Sequence, residues 1–306
     1  MSTVPCEIIG RPVSRPARAE PGYARPRVTA ATSLLPVRPA RESDLPREAT
    51  DLRHALVTDP EGLFAVGAEG AAPEGLAAGA VRGDLLQIVH LEVSRSARGH
   101  GVGAALFSAV RAYGASRGAR GIEFAQPADE ATLGFLLGIG LPIRGVAVRL
   151  RTRSIRAGAE APLHLVPVPP GAPLSGWVAD LDRETRGFAR TPDWAFWARR
   201  DDALFSTRRR GRPEAIGALA VTGREVAVGP VAAATPEAAA GLLVALAAEA
   251  TRRGAAAVRV TLPAEARLLL ERALGCGFRV EGTFPLLSSR ARGDFRRYAA
   301  SPTAFF

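Results

Sequence analysis

One stretch in the N-terminal half decides the predicted fold of this 306-residue chain: HLEVSRSARGHGVGAAL, residues 90–106. It begins inside an apolar run, residues 85–93, that is long enough for a central β-strand. Glycine occupies three of the five positions 99–103, and an apolar period typical of a helix continues from Leu106. The stretch therefore predicts a strand, a glycine-rich loop and a helix in direct succession.

A loop of this kind is suited to binding a phosphate group. Its consecutive backbone N–H groups can converge on one anion, and the N-terminus of the following helix adds about half a positive charge. The glycines permit left-handed backbone angles and let the main chain approach phosphate oxygens closely. The loop has neither the Gly-Lys-Ser/Thr of a Walker loop nor the G-x-G-x-x-G of a dinucleotide fold. A pyrophosphate is the predicted ligand, and an ordinary glycine-rich turn is the alternative.

The pattern V-x-x-x-x-R-G-x-G-V-G-x-x-L after a strand resembles the acetyl-CoA-binding motif of the GNAT superfamily of N-acetyltransferases, and the likeness covers residues 33–155. The resemblance implies an α/β (α+β) fold with a mixed, mostly antiparallel central sheet flanked by helices. It also implies that Arg98 opens the loop. The backbone amides that would hold the pyrophosphate of acetyl-CoA belong to Gly99, His100, Gly101, Val102, Gly103 and Ala104.

By the same resemblance, the strand that contains Leu91 and Val93 pairs its backbone with the pantetheine arm of acetyl-CoA. A backbone amide near Val93 would polarise the thioester carbonyl, in the manner of an oxyanion hole. The reaction then requires little beyond a deprotonated amine held beside the thioester, so proximity supplies much of the rate.

The positions that hold the acid and the base in many family members carry other residues here. Leu136 stands where the tyrosine is usual, and Gln87 stands where some members have a glutamate. The remaining proton acceptors are His90 and Glu92, which alternate onto one face of the predicted strand. The alternatives are a partly buried structural histidine and a solvated or salt-bridged glutamate.

The second half of the chain repeats the first. Residues 118–128 align without gaps with residues 254–264, and residues 138–141 align with residues 275–278. Such self-similarity predicts two tandem copies of one fold. We expect a proline- and arginine-rich flexible tail, a GNAT domain, a proline-rich linker and a second GNAT-like unit, at residues 1–32, 33–155, 156–173 and 174–300 respectively.

The second unit is predicted to have lost the phosphate-binding loop. Aligning Val231 with Val93 places residues 232–240, a run rich in alanine, where the glycine loop should be. Pro236 has no N–H to donate, and Glu237 would repel a phosphate. The unit resembles the degenerate C-terminal half of tandem GNAT proteins, which implies a structural or acceptor-shaping role without CoA binding.

The composition limits the other classes of function. All 40 basic residues are arginine, lysine and asparagine are absent, and the net charge is +10. A coding sequence rich in G and C explains this bias, so charge alone does not indicate nucleic-acid binding. Two cysteines and four scattered histidines predict no disulfide framework, no metal site and no acyl-enzyme chemistry. We expect a cytoplasmic protein without a membrane segment.

Together these features predict direct transfer of an acetyl group from acetyl-CoA to a primary amine of a small molecule or a peptide. A CoA-binding pseudoenzyme or sensor is the alternative, because the usual acid and base are replaced. A third possibility, a nucleic-acid-associated protein, depends only on charge. Near Trp194 and Trp197, aromatic and acidic residues could hold a cationic amine or could be core. The oligomeric state is left open.

Overall fold

The computed structural model describes most of the chain: residues 36–46, 50–68, 71–155, 163–174, 176–198, 204–290 and 293–301. The predicted tail, residues 1–32, and part of the predicted linker, residues 156–162, lie outside these ranges. No helix within them is both long enough and apolar enough to cross a membrane.

In the N-terminal half, strands and helices follow the order expected from the apolar periods. The predicted strand at residues 85–93, the glycine loop and the helix are all confirmed. The elements are β1 (Val37–Pro39), α1 (Thr50–Thr58), β2 (Leu63–Val66), β3 (Gly75–Arg82), β4 (Leu85–Val93), α2 (Val102–Ser116), β5 (Gly121–Phe124), α3 (Glu130–Gly138) and β6 (Ile143–Thr152).

From its second strand onward, the C-terminal half repeats the order that begins at β2, and one further short strand follows at the end. A short edge strand within the predicted linker pairs with the first long strand of this half. The elements are β7 (Val166–Pro167), α4 (Gly176–Arg186), α5 (Thr191–Ala198), β8 (Leu204–Arg209), β9 (Arg212–Thr222), β10 (Glu225–Ala233), α6 (Pro236–Arg252), β11 (Ala257–Pro263), α7 (Arg267–Gly275), β12 (Arg279–Ser288) and β13 (Tyr298–Ala299).

All these strands join one continuous sheet in the order β1-β2-β3-β4-β5-β12-β6-β11-β10-β9-β8-β7, with β13 paired to β10. Two pairs are parallel, β4 with β5 and β10 with β11, and the other recorded pairs are antiparallel. The predicted mixed, mostly antiparallel sheet flanked by helices is therefore confirmed.

The two halves exchange strands at the centre of the sheet. Strand β12 lies between β5 and β6, so the C-terminal half supplies a strand to the N-terminal half. Strand β6 lies between β12 and β11, so the exchange is reciprocal. The domain limits at residues 33–155 and 174–300 stay a prediction, but the sheet crosses them. The two units share a backbone hydrogen-bond network and not merely a packed interface.

Helices cover both faces of this sheet. On one face, α2 and α3 pack on the N-terminal half, and α6 and α7 pack on the C-terminal half. On the opposite face, α1 packs on β2 to β4, and α4 and α5 pack on β8 to β10. Trp194 and Trp197 are fully buried in this second layer, so they are core residues, not an amine-binding wall.

The strand register corrects one alignment made from the sequence. Ile88 pairs with Phe124 at the end of one parallel ladder, and Val228 pairs with Val260 at the end of the other. Counting five residues onward makes Ala233, not Val231, the counterpart of Val93. Eight residues, 94–101, connect β4 to α2, whereas two residues, 234–235, connect β10 to α6. The C-terminal half therefore lacks the residues of the glycine loop altogether, and does not merely carry other residues in their place.

Candidate active site

The N-terminal half contains an open cleft where two strands separate. Residues 85–88 of β4 pair with residues 121–124 of β5. Strand β5 then ends at Phe124, whereas β4 runs on to Val93 with β3 along its other edge. A cavity of about 550 Å³ lies beside the last residues of β4. The free edge of β4 can therefore accept an extended ligand as a pseudo-strand.

The cavity brings most of the predicted site residues together. Its wall opposite β4 and the loop consists of the end of β5 and the first turns of α3, including Asp129 and Phe135. His100 is exposed and does not line the cavity. The predicted residues that line the cavity are His90, Leu91, Glu92, Val93, Arg98, Gly99, Gly101, Val102, Gly103 and Ala104.

Two of the loop glycines adopt backbone angles that favour glycine. Gly99 has φ +81° and Gly101 has φ +83°, in the left-handed region. A Cβ atom built on Gly99 would meet no described atom within 4 Å, so open space adjoins the loop. A Cβ on Gly103 would make ordinary contact with Val93, at 3.5 Å from Cγ2. The special conformation is thus needed at Gly99 and Gly101.

The N-terminus of α2 is left without a protein cap. Gly101 is the N-cap residue, and within the described chain no side chain caps this helix. Its first turn carries no acidic residue. The first N–H groups of a helix have no intrahelical acceptor, and they carry the positive end of the helix dipole. At Val102, Gly103 and Ala104 these donors adjoin the cavity.

Arg98 links the loop to the far wall of the cleft. Its Nη1 lies 3.1 Å from Oδ2 of Asp129, and its Nε donates to the carbonyl oxygen of Val93 at 3.2 Å. Asp129 also caps α3 by accepting from the backbone N–H of Thr132 at 2.8 Å. Hydrogen bonds from Thr132 and then the charge of Arg98 lower the pKa of Asp129. Arg98 therefore reaches across the cavity mouth from the loop to α3.

The side chains of the last β4 residues divide between the two faces of the strand. Leu91 and Val93 pack toward the cluster beneath α2. His90 and Glu92 share the other face, where Nε2 of His90 lies 3.3 Å from Oε2 of Glu92. Burial lowers the pKa of His90, and the neighbouring Glu92 opposes this shift. The imidazole is consequently neutral at pH 7 and can accept a proton.

The two positions where the family pattern is broken are both buried. Leu136 is fully buried between α2 and β12. Gln87 donates through Nε2 to Oε1 of Glu123 at 2.9 Å, and Nη2 of Arg186 donates to the same oxygen at 2.7 Å. Since Arg186 belongs to α4, this buried network joins the two halves. A charged residue inside the short apolar strand β5 was the available signal for it.

A second buried network joins α1 to α5. Arg82 donates to both carboxylate oxygens of Asp193, at 2.8 and 2.7 Å, and Nε2 of His54 lies 3.1 Å from Oδ1 of Asp193. Burial alone would raise the pKa of Asp193, but Arg82 outweighs it and the pKa is lowered. No local pattern predicts this pairing, because His54 and Asp193 lie 139 positions apart.

The corresponding cleft of the C-terminal half is filled by the chain itself. Residues 225–228 of β10 pair with β11, and beyond them β13 pairs with β10 at Val231 and Ala232. The backbone N–H of Ala300 donates to the carbonyl oxygen of Thr261 at 2.9 Å, which ties the inserted segment to β11. Tyr298 is fully buried, and its hydroxyl accepts from Arg190 at 3.0 Å.

The splayed strands and the loop agree with the comparison to known families. Residues 31–139 match the family described as acetyltransferase (GNAT) family. This segment is a GNAT domain. The GNAT match ends at residue 139 and does not include the C-terminal half. No curated protein matches the chain.

Solved structures extend the likeness of fold to most of the chain. A proposed acetyltransferase from Pyrococcus horikoshii has a TM-score of 0.72 at 17% identity, over 89% of this chain and 96% of its own. A GCN5-related N-acetyltransferase from Sphaerobacter thermophilus has a TM-score of 0.59 at 16% identity, over 84% and 96%. A tandem GNAT protein from the clavulanic acid biosynthesis pathway has a TM-score of 0.54 at 15% identity, over 84% and 91%. The tandem arrangement of the fold is thus found in solved proteins.

Proposed function

We propose that the N-terminal half transfers an acetyl group from acetyl-CoA directly to a primary amine. The open cleft with an uncapped helix N-terminus at its mouth is the observation that carries this proposal. The residues fit the cosubstrate in two respects. The amides from Gly99 to Ala104 offer donors to a pyrophosphate, and the free edge of β4 at residues 89–93 offers a partner to the pantetheine arm.

Acetyl-CoA supplies an activated thioester: the amine nitrogen forms the new C–N bond, the C–S bond breaks, and CoA leaves as a thiolate that takes up the second proton lost by the nitrogen. The protein positions the amine beside the thioester and accepts a proton from it. A backbone amide near Val93 would stabilise charge on the carbonyl oxygen. His90 would take the proton that the ammonium must lose before the nitrogen can attack. Glu92, 3.3 Å from the imidazole, would stabilise the resulting imidazolium.

The C-terminal half is proposed to bind no CoA. Three features support this: β13 fills its cleft, its loop is two residues long, and Thr235 caps α6 by accepting from the N–H of Ala238 at 3.1 Å. Its role would be to support the first half through the exchanged strands and to form part of the acceptor side.

Acetyl-CoA binding by a Gly101→Val variant tests the proposal. A β-branched side chain is strongly disfavoured at φ +83°, so the loop must change shape and its donors lose their alignment. Losing two hydrogen bonds to charged oxygens weakens binding by about 100-fold or more. Gly118→Val is the matched control, because Gly118 has the same φ of +83° at the other end of α2.

Calorimetric titration of both variants and a CoA-release assay with primary amines separate the outcomes. We expect Gly118→Val to bind acetyl-CoA normally and Gly101→Val to lose binding and turnover. Equal binding by the two variants would contradict the loop assignment. Normal binding of acetyl-CoA without CoA release from any amine would instead indicate a sensor.

A further inference from the structure

A second cavity lies on the opposite face of the strand that ends at the cofactor cleft. Phe124, the last residue of β5, lines the cofactor cleft, whereas its neighbours Glu123 and Ala125 line a separate cavity of about 350 Å³. Successive residues of a strand point to opposite faces, so the end of one strand separates the two spaces. The two cavities therefore adjoin at the end of β5, one on each face of the sheet.

Both halves of the chain build this second cavity. Strand β6 contributes Arg144 and Gly145, and β12 contributes Leu286. Glu265, which follows β11, and Phe295 complete the walls. This is the face of the sheet that also presents His90, since Ala125 and Leu286 belong to the buried cluster on the side away from α2. The cavity is thus placed on the side from which an amine would approach His90.

Two of the four charged side chains that line the cavity are already neutralised. Glu123 is held by Arg186 and Gln87, as described above. Nη1 of Arg290 lies 2.5 Å from Oδ2 of Asp84.

The other two charges, on the exposed residues Arg144 and Glu265, are opposite in sign and have no close ion-pair partner among the described residues. In the part of the chain that the structure describes, no basic group lies within 4.0 Å of the Glu265 carboxylate, and no carboxylate lies within that distance of Arg144. Arg144 donates through Nε to the backbone carbonyl of Ser288 at 3.2 Å. Partial burial, with the nearby Asp294, raises the pKa of Glu265, and the more weakly acting Arg296 opposes this shift. One cavity therefore offers one anion and one cation to a ligand.

The strand order places these charges away from the reacting position. Arg144 is on β6, the second strand from β5, and Glu265 follows β11, the third. At roughly 4.8 Å per strand, these backbones lie about 10 and 14 Å from β5. A side chain spans about half of that distance, so the groups bound by Glu265 and Arg144 lie several ångströms from an amine that reacts in the cleft.

We propose that this cavity is the acceptor pocket and that it binds the zwitterionic end of a diamino acid, with Glu265 on the α-ammonium and Arg144 on the α-carboxylate. The side-chain amine of the acceptor then extends past Ala125 toward His90 and receives the acetyl group. This inference rests on the proposed function, and it makes the C-terminal half a direct contributor to acceptor recognition through Glu265.

The test removes each charged group of the acceptor in turn and, separately, the side chain that is proposed to bind it. Acceptors are L-lysine, cadaverine, which lacks the carboxylate, and 6-aminohexanoate, which lacks the α-amine. We expect L-lysine to be acetylated on its side chain, with a KM about tenfold or more below those of the two truncated amines, since each loses one hydrogen-bonded ion pair. Arg144→Gln should raise KM for lysine and leave cadaverine unchanged. Glu265→Gln should raise KM for lysine and leave 6-aminohexanoate unchanged.

Matched controls are Arg153→Gln and Glu237→Gln, both exposed and outside the cavity walls. They should leave all three KM values as in the unmodified protein. The acetyl-CoA dissociation constant is measured for every variant. Failure to bind acetyl-CoA at all contradicts the proposed function. The acceptor pocket alone is overturned if acetyl-CoA binds normally and lysine is either not turned over or not preferred. It is also overturned if acetyl-CoA binds normally and each variant changes KM by the same factor whichever group the acceptor lacks.

Discussion

Each half of this protein contains one pair of parallel strands, β4 with β5 and β10 with β11. The space where the strands separate is open in the first half and filled in the second. In each half four residues of one strand pair with four of the next before the strands separate. After that point β4 borders a cavity of about 550 Å³, whereas β10 gains β13 as a new partner. The same strand geometry therefore supports either a ligand cleft or a closed core, depending on what enters the gap.

The helices that follow these strands differ in the same way. The first N–H groups of α2 have no capping side chain among the described residues, and an eight-residue loop brings them to the cleft. The N-terminus of α6 is satisfied within the chain, since Thr235 caps it, Pro236 is its first residue and Glu237 lies in its first turn. An anion site thus requires donors that the protein itself leaves unused. In the second half, the side chain of Thr235 already accepts a hydrogen bond from one of these donors.

The largest expected effect concerns the segment that closes the second cleft. Tyr298→Ala removes a fully buried aromatic ring, so we expect a loss of about 3–5 kcal/mol in the free energy of unfolding. Tyr298→Phe keeps the ring and loses the hydrogen bond from the charged Arg190, so it should cost about 1.5–3 kcal/mol. Chemical denaturation measures both values. A marginal effect of Tyr298→Ala would mean that β13 is not part of the core.

His90 gives a smaller effect that is specific to the open cleft. Because its pKa is lowered, the imidazole is neutral at pH 7 and becomes protonated only below its ordinary value of 6.5. We expect turnover to show an acid limb below that pH, and His90→Gln to lose about 100-fold in kcat together with the limb. Glu92→Gln should move the limb to lower pH, because Glu92 raises the pKa of His90. An unchanged pH profile in both variants would exclude His90 as the base.

The smallest expected effect concerns the cap of α6. Thr235→Ala leaves one helix N–H without its acceptor, so we expect a loss of about 1 kcal/mol in the free energy of unfolding. Ser94→Ala is the control, since the Ser94 side chain makes no capping hydrogen bond within the described residues. It should change stability by less than about 0.5 kcal/mol. Equal losses would mean that the Thr235 cap contributes nothing specific to the stability of α6.

The open cleft could be predicted from the sequence because its signals are local. The apolar run at residues 85–93 gives the strand, and the glycines from Gly99 to Gly103 give the loop within the next ten residues. The alignment of Val231 with Val93, which placed residues 232–240 at the loop position, was wrong, because an alanine-rich run has no feature that fixes its register. Only the pairing of Val228 with Val260 fixed it.

The strand exchange and the buried ion pairs could not be predicted from the sequence, for a different reason. Strands β6 and β12 can pair with either half using the same backbone groups, so no local residue chooses between the arrangements. Arg186 and Glu123 are 63 positions apart, and their contact exists only once the exchange has formed. The proposed acceptor pocket depends on the same exchange, because Arg144 and Glu265 come from different halves.

Calorimetric titration of the intact protein with acetyl-CoA tests the contrast between the two clefts most directly. The open first cleft and the closed second cleft predict one acetyl-CoA bound per chain, with binding lost in Gly101→Val and kept in Gly118→Val. Two acetyl-CoA molecules per chain, or one that persists in Gly101→Val, would contradict the account.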